Sequence, residues 1–302
     1  MSIKIPNFFI VGAPKAGTTA LYEYLRYHPN IFMPLKKEPH YFAKDFPNYP
    51  SVKNKYDYLK LFNKSTKEYL AIGEASVWYL YSDVAIKLIK EFNPSAKIIV
   101  MLRNPIDLAY AMHGQALYNH NENEPDFEKA WELQSKRQKH IDIPQGCRAH
   151  QILQYEKLAS LGYQTERLLR IFDYKQVKFI IFEDFINHTQ EIYEEVLEFL
   201  DVEKDGRTDF PIINESKTHR SKLIGKLTQT PPLWILKIVR YARDHLGIEI
   251  NYPLTWVRKL NNVSNQRSPL RPEFRNQLVE IFREDIKKLS QLIGKDLHKW
   301  LI

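Results

Sequence analysis

Three runs along the 302-residue chain are predominantly apolar and rich in β-branched and aromatic residues. They are residues 5–11 (IPNFFIV), 97–102 (KIIVML) and 177–182 (VKFIIF). Near-continuous apolar runs of this length, each with a single polar residue and no regular alternation, fit strands buried on both faces. Each ends abruptly: the first at Gly12, the second at Arg103, the third at Glu183-Asp184. Between them the apolar positions recur at helical spacing. Residues 18–27 place Leu21, Tyr24 and Leu25 on one face and stop at His28-Pro29. Residues 82–92 form a predicted helix with Ser82 as N-cap. Pro105 opens another at a favourable first position, and helical patterns continue to about Phe172. Residues 191–200 carry Ile192, Val196, Phe199 and Leu200 on one face. The last helix, 272–293, carries Phe274, Leu278, Ile281, Phe282, Leu289 and Ile293. Residues 31–41, broken by Pro34 and Pro39, read as extended or irregular. Residues 206–254 are the least regular part and are candidates for lids or insertions. Strands alternating with helices predict an α/β fold of the phosphate-loop type, three layers with a central parallel sheet flanked by helices. No repeat, low-complexity tract or linker divides the chain, so residues 1–302 are expected to form one domain.

Composition changes this picture little. The balance of 44% hydrophobic and 26% charged residues is that of a soluble globular protein large enough to need no staple. The single cysteine, Cys147, excludes an internal disulfide and a cysteine-based metal site, and fits a reducing, cytoplasmic compartment. The start is too short in apolar residues for a secretory leader. The run 231–239 is far below the roughly 20 residues of a membrane span. Residues 232–247 are apolar on one side and basic on the other. They fit a packed core helix, with a lid or peripheral membrane contact as the alternative. A net charge of +8 favours anionic partners without choosing among them, and the cations are spread along the chain.

The chemistry concentrates after the first strand. Residues 8–21 read FFIVGAPKAGTTAL, close to the phosphate loop G-x-x-x-x-G-K-[ST]. A glycine turn running from a buried strand into a helix N-terminus makes an anion cradle of backbone N–H groups. Thr18 and Thr19 add hydroxyls and Lys15 a cation. Yet Thr18 stands where a triphosphatase has its lysine, and no aspartate ends the second strand to hold magnesium. Glu183-Asp184 is either a metal position or a solvated strand end. The loop also lacks the G-x-G-x-x-G of a dinucleotide fold. Arg103, directly after a buried strand, is a candidate anion ligand, because an unpaired buried guanidinium is costly. An ion pair with Asp107 is its alternative role.

Taken together, PKAGTT (14–19), KEPHYF (37–42), GEAS (73–76), RNPIDLAYAMHGQ (103–115), FEDF (182–185) and the terminal DIKKLSQLIGKDLHKW (285–300) resemble, in order, the sulfotransferases that use 3′-phosphoadenosine 5′-phosphosulfate (PAPS). The likeness is to the branch containing heparan sulfate sulfotransferases and bacterial relatives. It implies transfer of a sulfuryl group from PAPS to a hydroxyl or amine of a carbohydrate, lipid or small molecule, leaving adenosine 3′,5′-bisphosphate. It implies no metal and no nucleic-acid partner. Pro14, Lys15, Ala16, Gly17, Thr18 and Thr19 then hold the 5′-phosphosulfate, with Lys15 on the leaving oxygen, and Arg103 binds the 3′-phosphate. The base matches Glu38. His40, two residues on in an extended segment, has the more suitable ordinary pKa, so either can take the acceptor proton. Glu74 and Ser76 match residues that line the acceptor pocket and touch the loop. Trp78, Tyr79 and Tyr81 read as core, with stacking on substrate as the alternative. One departure stands out: Ala111 replaces a serine that bonds the 3′-phosphate in the family, so the expectation is either that PAPS is held less tightly or that Tyr110 or His113 compensates. Candidates for the late 3′-phosphate loop are Arg267 and Arg271, or Arg220 and Lys222. The remaining alternatives are a phosphate-loop kinase or triphosphatase, and a nucleotide- or polyanion-binding protein without catalysis.

Overall fold

The computed structural model describes residues 5–46, 48–213, 217–219, 262–264 and 267–302. The three predicted strands form at Phe8–Gly12 (β1), Lys97–Leu102 (β4) and Val177–Ile181 (β5). Two more join them: Ile31–Phe32 (β2) and Ala71–Ala75 (β3). All pair in parallel in the order β2-β3-β1-β4-β5, which places β1 at the centre. Every residue of β1 and β3 is buried, as expected of strands covered on both faces.

The sequence pattern misses β3 because Gly73 and Glu74 interrupt its apolar run. Packing requires the glycine there: a Cβ at Gly73 would lie 2.1 Å from Phe8 Cζ and 2.5 Å from Met33 Sδ. Glu74 is fully buried and finds partners, described below.

Helices flank the sheet. Thr18–Arg26 (α1) follows β1, and Lys55–Lys60 (α2) precedes β3. Ala85–Phe92 (α3) starts later than the periodicity predicts, and its N-cap is Val84 rather than Ser82, whose Oγ nevertheless accepts from Val84 N and Ala85 N at 3.3 and 3.0 Å. Pro105–Tyr118 (α4) follows β4 with proline in its first turn, and Asn104 accepts from Ile106 N. The region to Phe172 breaks into short helices: Phe127–Glu132 (α5), Gln134–Gln138 (α6), Tyr155–Ala159 (α7) and Leu161–Leu169 (α8). Phe182–Asn187 (α9) continues directly from β5, and Thr189–Phe199 (α10) follows. Lys217–His219 (β6) pairs antiparallel with Asn262–Ser264 (β7). Pro272–Ile293 (α11) runs over the predicted span and ends on Gly294 in the left-handed conformation. It packs on α8, where buried Asp285 accepts from Gly162 N and Tyr163 N at 2.8 and 2.9 Å and so caps that helix from outside.

A parallel sheet puts the C-terminal ends of all its strands on one edge, and open α/β sheets bind ligands there. Here that edge receives the Gly12–Thr19 loop from β1, Lys37–His40 after β2, Glu74–Ser76 from β3, Arg103 from β4 and Phe182 from β5.

Candidate active site

The loop after β1 leaves the sheet at Gly12, where the register with β4 shifts and Ala13 N donates to Met101 O at 2.6 Å. Gly17 has φ +86 and abuts Phe182 and Met101; a Cβ there would lie 3.1 and 3.3 Å from their side chains. Gly17 is the N-cap of α1 and offers no side chain to its first amides. Those N–H groups therefore point into the loop as donors. Pro14, Ala16 and Thr18 are buried, and Thr19 is half-buried.

Lys15 has left-handed backbone, φ 62, and its Nζ donates to Gln115 Oε1 on α4 at 3.2 Å. Its carbonyl accepts from Arg103 Nη1 at 2.8 Å. The loop is thus tied to the end of β4 and to the far half of α4. Burial lowers the Lys15 pKa from its ordinary value, the Arg103 charge lowers it further, and the Glu38 charge partly restores it. The guanidinium of Arg103 lies over the Phe182 ring, 4.8 Å from its centroid, and its Nε is buried without a hydrogen-bond partner. Asp107 does not pair with it; it pairs with Arg275 at 3.1 Å. A cationic group with an unsatisfied donor beside a glycine-lined cradle of amides fits a phosphorylated nucleotide.

Glu38 and His40 stand on the same edge. Both have left-handed backbone, φ 60 and 51, rather than the extended form expected from sequence. The Glu38 carboxylate pairs with Lys37 Nζ on one oxygen and lies 3.5 Å from His40 Nε2 on the other. Burial pushes the Glu38 pKa up, but the His40 hydrogen bond and the Lys37 and His40 charges outweigh it, leaving a value of about 2. His40 is buried, with Tyr49 and Tyr79 edge-on at 5.9 and 6.4 Å, and its Nδ1 has no partner.

Glu74 and Ser76 lie beneath this segment, both 0% exposed. Glu74 accepts from Tyr58 and Tyr79 hydroxyls at 2.7 and 3.0 Å and from Ser76 Oγ at 2.6 Å. Burial raises its carboxyl to about 7 despite these hydrogen bonds. Trp78 and Tyr79 are buried, and Tyr81 spends its hydroxyl on Gln151 O.

Beside Ala111, both expected substitutes for the serine are engaged with other protein groups. Tyr110 donates its hydroxyl to Ser268 O at 2.7 Å. His113 is engaged on both ring nitrogens: Nδ1 faces Arg267 Nη2 at 2.8 Å and Nε2 faces Glu124 O at 2.8 Å. Arginine only donates, so His113 Nδ1 accepts and Nε2 carries the proton. Burial lowers the His113 pKa to about 4, so the ring is neutral. The group brought to this face of α4 is Arg267, stacked 3.7 Å from the Tyr110 ring centroid and bonded to Tyr110 O. Arg271 is held by Glu128. Arg220 and Lys222 lie outside the described residues, as do residues 232–247.

Among the described residues no three His, Cys, Asp or Glu side chains gather as metal ligands; Glu183 Oε2 is buried without a partner and Asp184 lies 3.5 Å from Lys295. No helix among them is long and apolar enough to cross a membrane. A cavity of about 510 Å³, lined among others by Asp45, Phe46, Tyr81, His150 and Arg167, contains none of the residues around the loop. Sequence reasoning missed Gln115, Lys37 and Phe182 as neighbours of the loop and base. Gln115 and Phe182 lie within or beside recognisable motifs, but only the fold aims them.

Comparison with known proteins bears on the family and the fold. The chain is 31% identical over 148 residues to human carbohydrate sulfotransferase 15, covering 35% of this chain and 26% of that protein. It is 31% identical over 114 residues to human heparan sulfate glucosamine 3-O-sulfotransferase 6, covering 38% and 31% respectively. The matches thus span about a quarter to a third of these relatives. Among solved structures, a sulfotransferase from Alicyclobacillus acidocaldarius superposes with a TM-score of 0.71 at 25% identity, covering 99% of both chains. A mouse sulfotransferase, SULT7A1, complexed with PAP, shares the fold at TM-score 0.50 and 15% identity, over 95% of this chain and 86% of that one. The sulfotransferase domain family matches residues 6–219, and with β1, the phosphate loop, Arg103 and Glu38 all inside that match, the chain belongs to the sulfotransferase family.

Proposed function

We propose that this protein transfers a sulfuryl group from PAPS to a hydroxyl or amine of an acceptor, a carbohydrate being the class its relatives' names favour. The observation that carries the reading is the convergence of Lys15, Arg103 and Glu38 at one sheet edge, with Arg103 bonded to the carbonyl of Lys15. PAPS supplies an activated sulfuryl group whose leaving group is a phosphate. The amides of the Gly12–Thr19 loop and the hydroxyls of Thr18 and Thr19 bind anionic oxygens. Lys15 Nζ, on a flexible stem, neutralises charge that develops at the leaving oxygen. Arg103 holds a second phosphate with its unpartnered Nε, and Arg267 is the nearby cation on the face that lacks the serine hydroxyl. The carboxylate of Glu38, ionised across the working range, accepts the acceptor's proton. His40 orients that carboxylate and is the alternative base.

Calorimetry tests the donor site. Adenosine 3′,5′-bisphosphate is expected to bind the wild type and to bind Arg103→Ala at least about tenfold more weakly, a loss of about 1.4 kcal/mol. Tight binding of ATP with magnesium and none of the bisphosphate would favour a phosphate-loop kinase instead. Radiolabelled PAPS offered with glycosaminoglycan oligosaccharides, hydroxylated lipids and small phenols then identifies the acceptor class.

A further inference from the structure

Glu38 and His40 both occupy left-handed backbone, a region sparsely populated by residues other than glycine. Such a conformation persists only when surrounding contacts determine it. Three hydrogen bonds do so here. Glu38 N donates to Ala75 O at 3.0 Å, His40 N donates to Ser76 Oγ at 3.0 Å, and Ser51 N donates to Pro39 O at 3.0 Å. The middle bond depends on a hydroxyl, and a hydroxyl can rotate. Ser76 has one proton to give, and it gives it to Glu74 Oε1 at 2.6 Å. That leaves its lone pairs facing His40 N. Glu74 therefore sets the polarity of Ser76. Tyr58 and Tyr79 hydroxyls in turn fix the other carboxylate oxygen, and Tyr79 also walls the His40 ring. Neither Glu74 nor Ser76 has exposed surface with which to touch an acceptor.

We propose that Glu74, acting through the Ser76 hydroxyl, is a positioning residue that holds the 38–40 turn in its left-handed form and so keeps the Glu38 carboxylate between Lys37 and His40. The inference deepens the reading of Glu38 as the base and rests on it.

Carbon-13 titration of the glutamate side-chain carboxyls reads the arrangement directly, with Glu38→Gln assigning the resonance. In the wild type Glu38 is expected to titrate at about 2. In Ser76→Ala, and in Glu74→Leu, which removes the oxygen that takes the Ser76 proton, the turn relaxes, and the proton affinity of Glu38 rises at least about tenfold, toward an ordinary carboxylate. Ser76→Thr, which keeps the hydroxyl, returns it. Binding of adenosine 3′,5′-bisphosphate stays within about twofold throughout, because the loop and Arg103 are untouched. If Glu74→Leu does not fold, Ser76→Ala decides alone. An unchanged Glu38 titration in Ser76→Ala overturns the positioning role and leaves the base reading standing. So does a parallel loss of nucleotide affinity, which would mark general disruption. Sulfuryl transfer from PAPS surviving in Glu38→Gln overturns the base reading instead, whatever the titration shows.

Discussion

Lys15 is a cation that its surroundings weaken and then use. Burial and Arg103 disfavour its charge, while Glu38 and the Gln115 amide oxygen support it. An anion bound in the loop would be its strongest partner. Lys15→Ala is expected to lower kcat by about 10²–10³-fold, the range for removing one preorganised group from a developing negative charge. Rapid-quench turnover with saturating PAPS measures it; a kcat within a few-fold of wild type would remove Lys15 from the chemistry. The choice between Glu38 and His40 can be read from pH. A carboxylate near about 2 is ionised across all accessible conditions, so with Glu38 as base the kcat profile has no acid limb between pH of about 4 and 8. A limb near about 6.5, the ordinary imidazole value, that survives in Glu74→Gln, whose wild-type carboxyl titrates at about 7, would transfer the role to a histidine.

Among the elements, β3 carries the tightest constraints. Gly73 packs against Phe8 and Met33 so closely that Gly73→Ala must displace them. Overpacking of this kind costs about 1–3 kcal/mol, visible as a lower unfolding temperature. Stability unchanged in the alanine variant would mean that the β1–β3 contact is looser than described. Glu74, one residue on, gives β3 a pH signature. Its carboxyl titrates at about 7 in the fold and at about 4.3 in an unfolded chain. Between those values the native state binds more protons, so stability falls as pH rises from about 4.3 to 7 and levels above. Urea unfolding at a series of pH values should show this decline in the wild type and lose most of it in Glu74→Gln.

At the scale of the molecule, a buried polar network joins apolar packing in tying the helical layer together. Arg137 and Glu122, both buried, form a two-point ion pair at 2.5 and 2.7 Å, and Glu122 also accepts from the Tyr155 hydroxyl and the amides of Asn123 and Glu124. This knot joins α6 and α7 to the segment after α4, whose Glu124 carbonyl orients His113 and, through it, Arg267. Glu122→Ala leaves a buried guanidinium unpaired and is expected to cost about 3–5 kcal/mol, measured by chemical denaturation. A double replacement of Glu122 and Arg137 by leucine and methionine should recover much of that loss. If the single and double variants unfold alike, the pair is not a buried charge knot.

The α/β class, three of the five strands of the main sheet, the span of the last helix, and the loop with its displaced lysine are all legible in the chain's local pattern. They are so because near-continuous apolar runs, helical periodicity and the glycine turn are local properties of the chain. The sequence also singles out Glu38, His40 and Arg103 as candidates, though not their geometry. β3 was illegible because its glycine and buried glutamate answer to Phe8, Met33, Tyr58 and Tyr79, all remote in sequence. The left-handed turn of Glu38 and His40 is set by Ala75 and Ser76 on another strand. Arg267 reaches the face of Ala111 from 156 positions away in the chain. Tertiary structure alone decided these, because a parallel sheet gathers at one edge the residues that follow each strand, however far apart they stand in the chain.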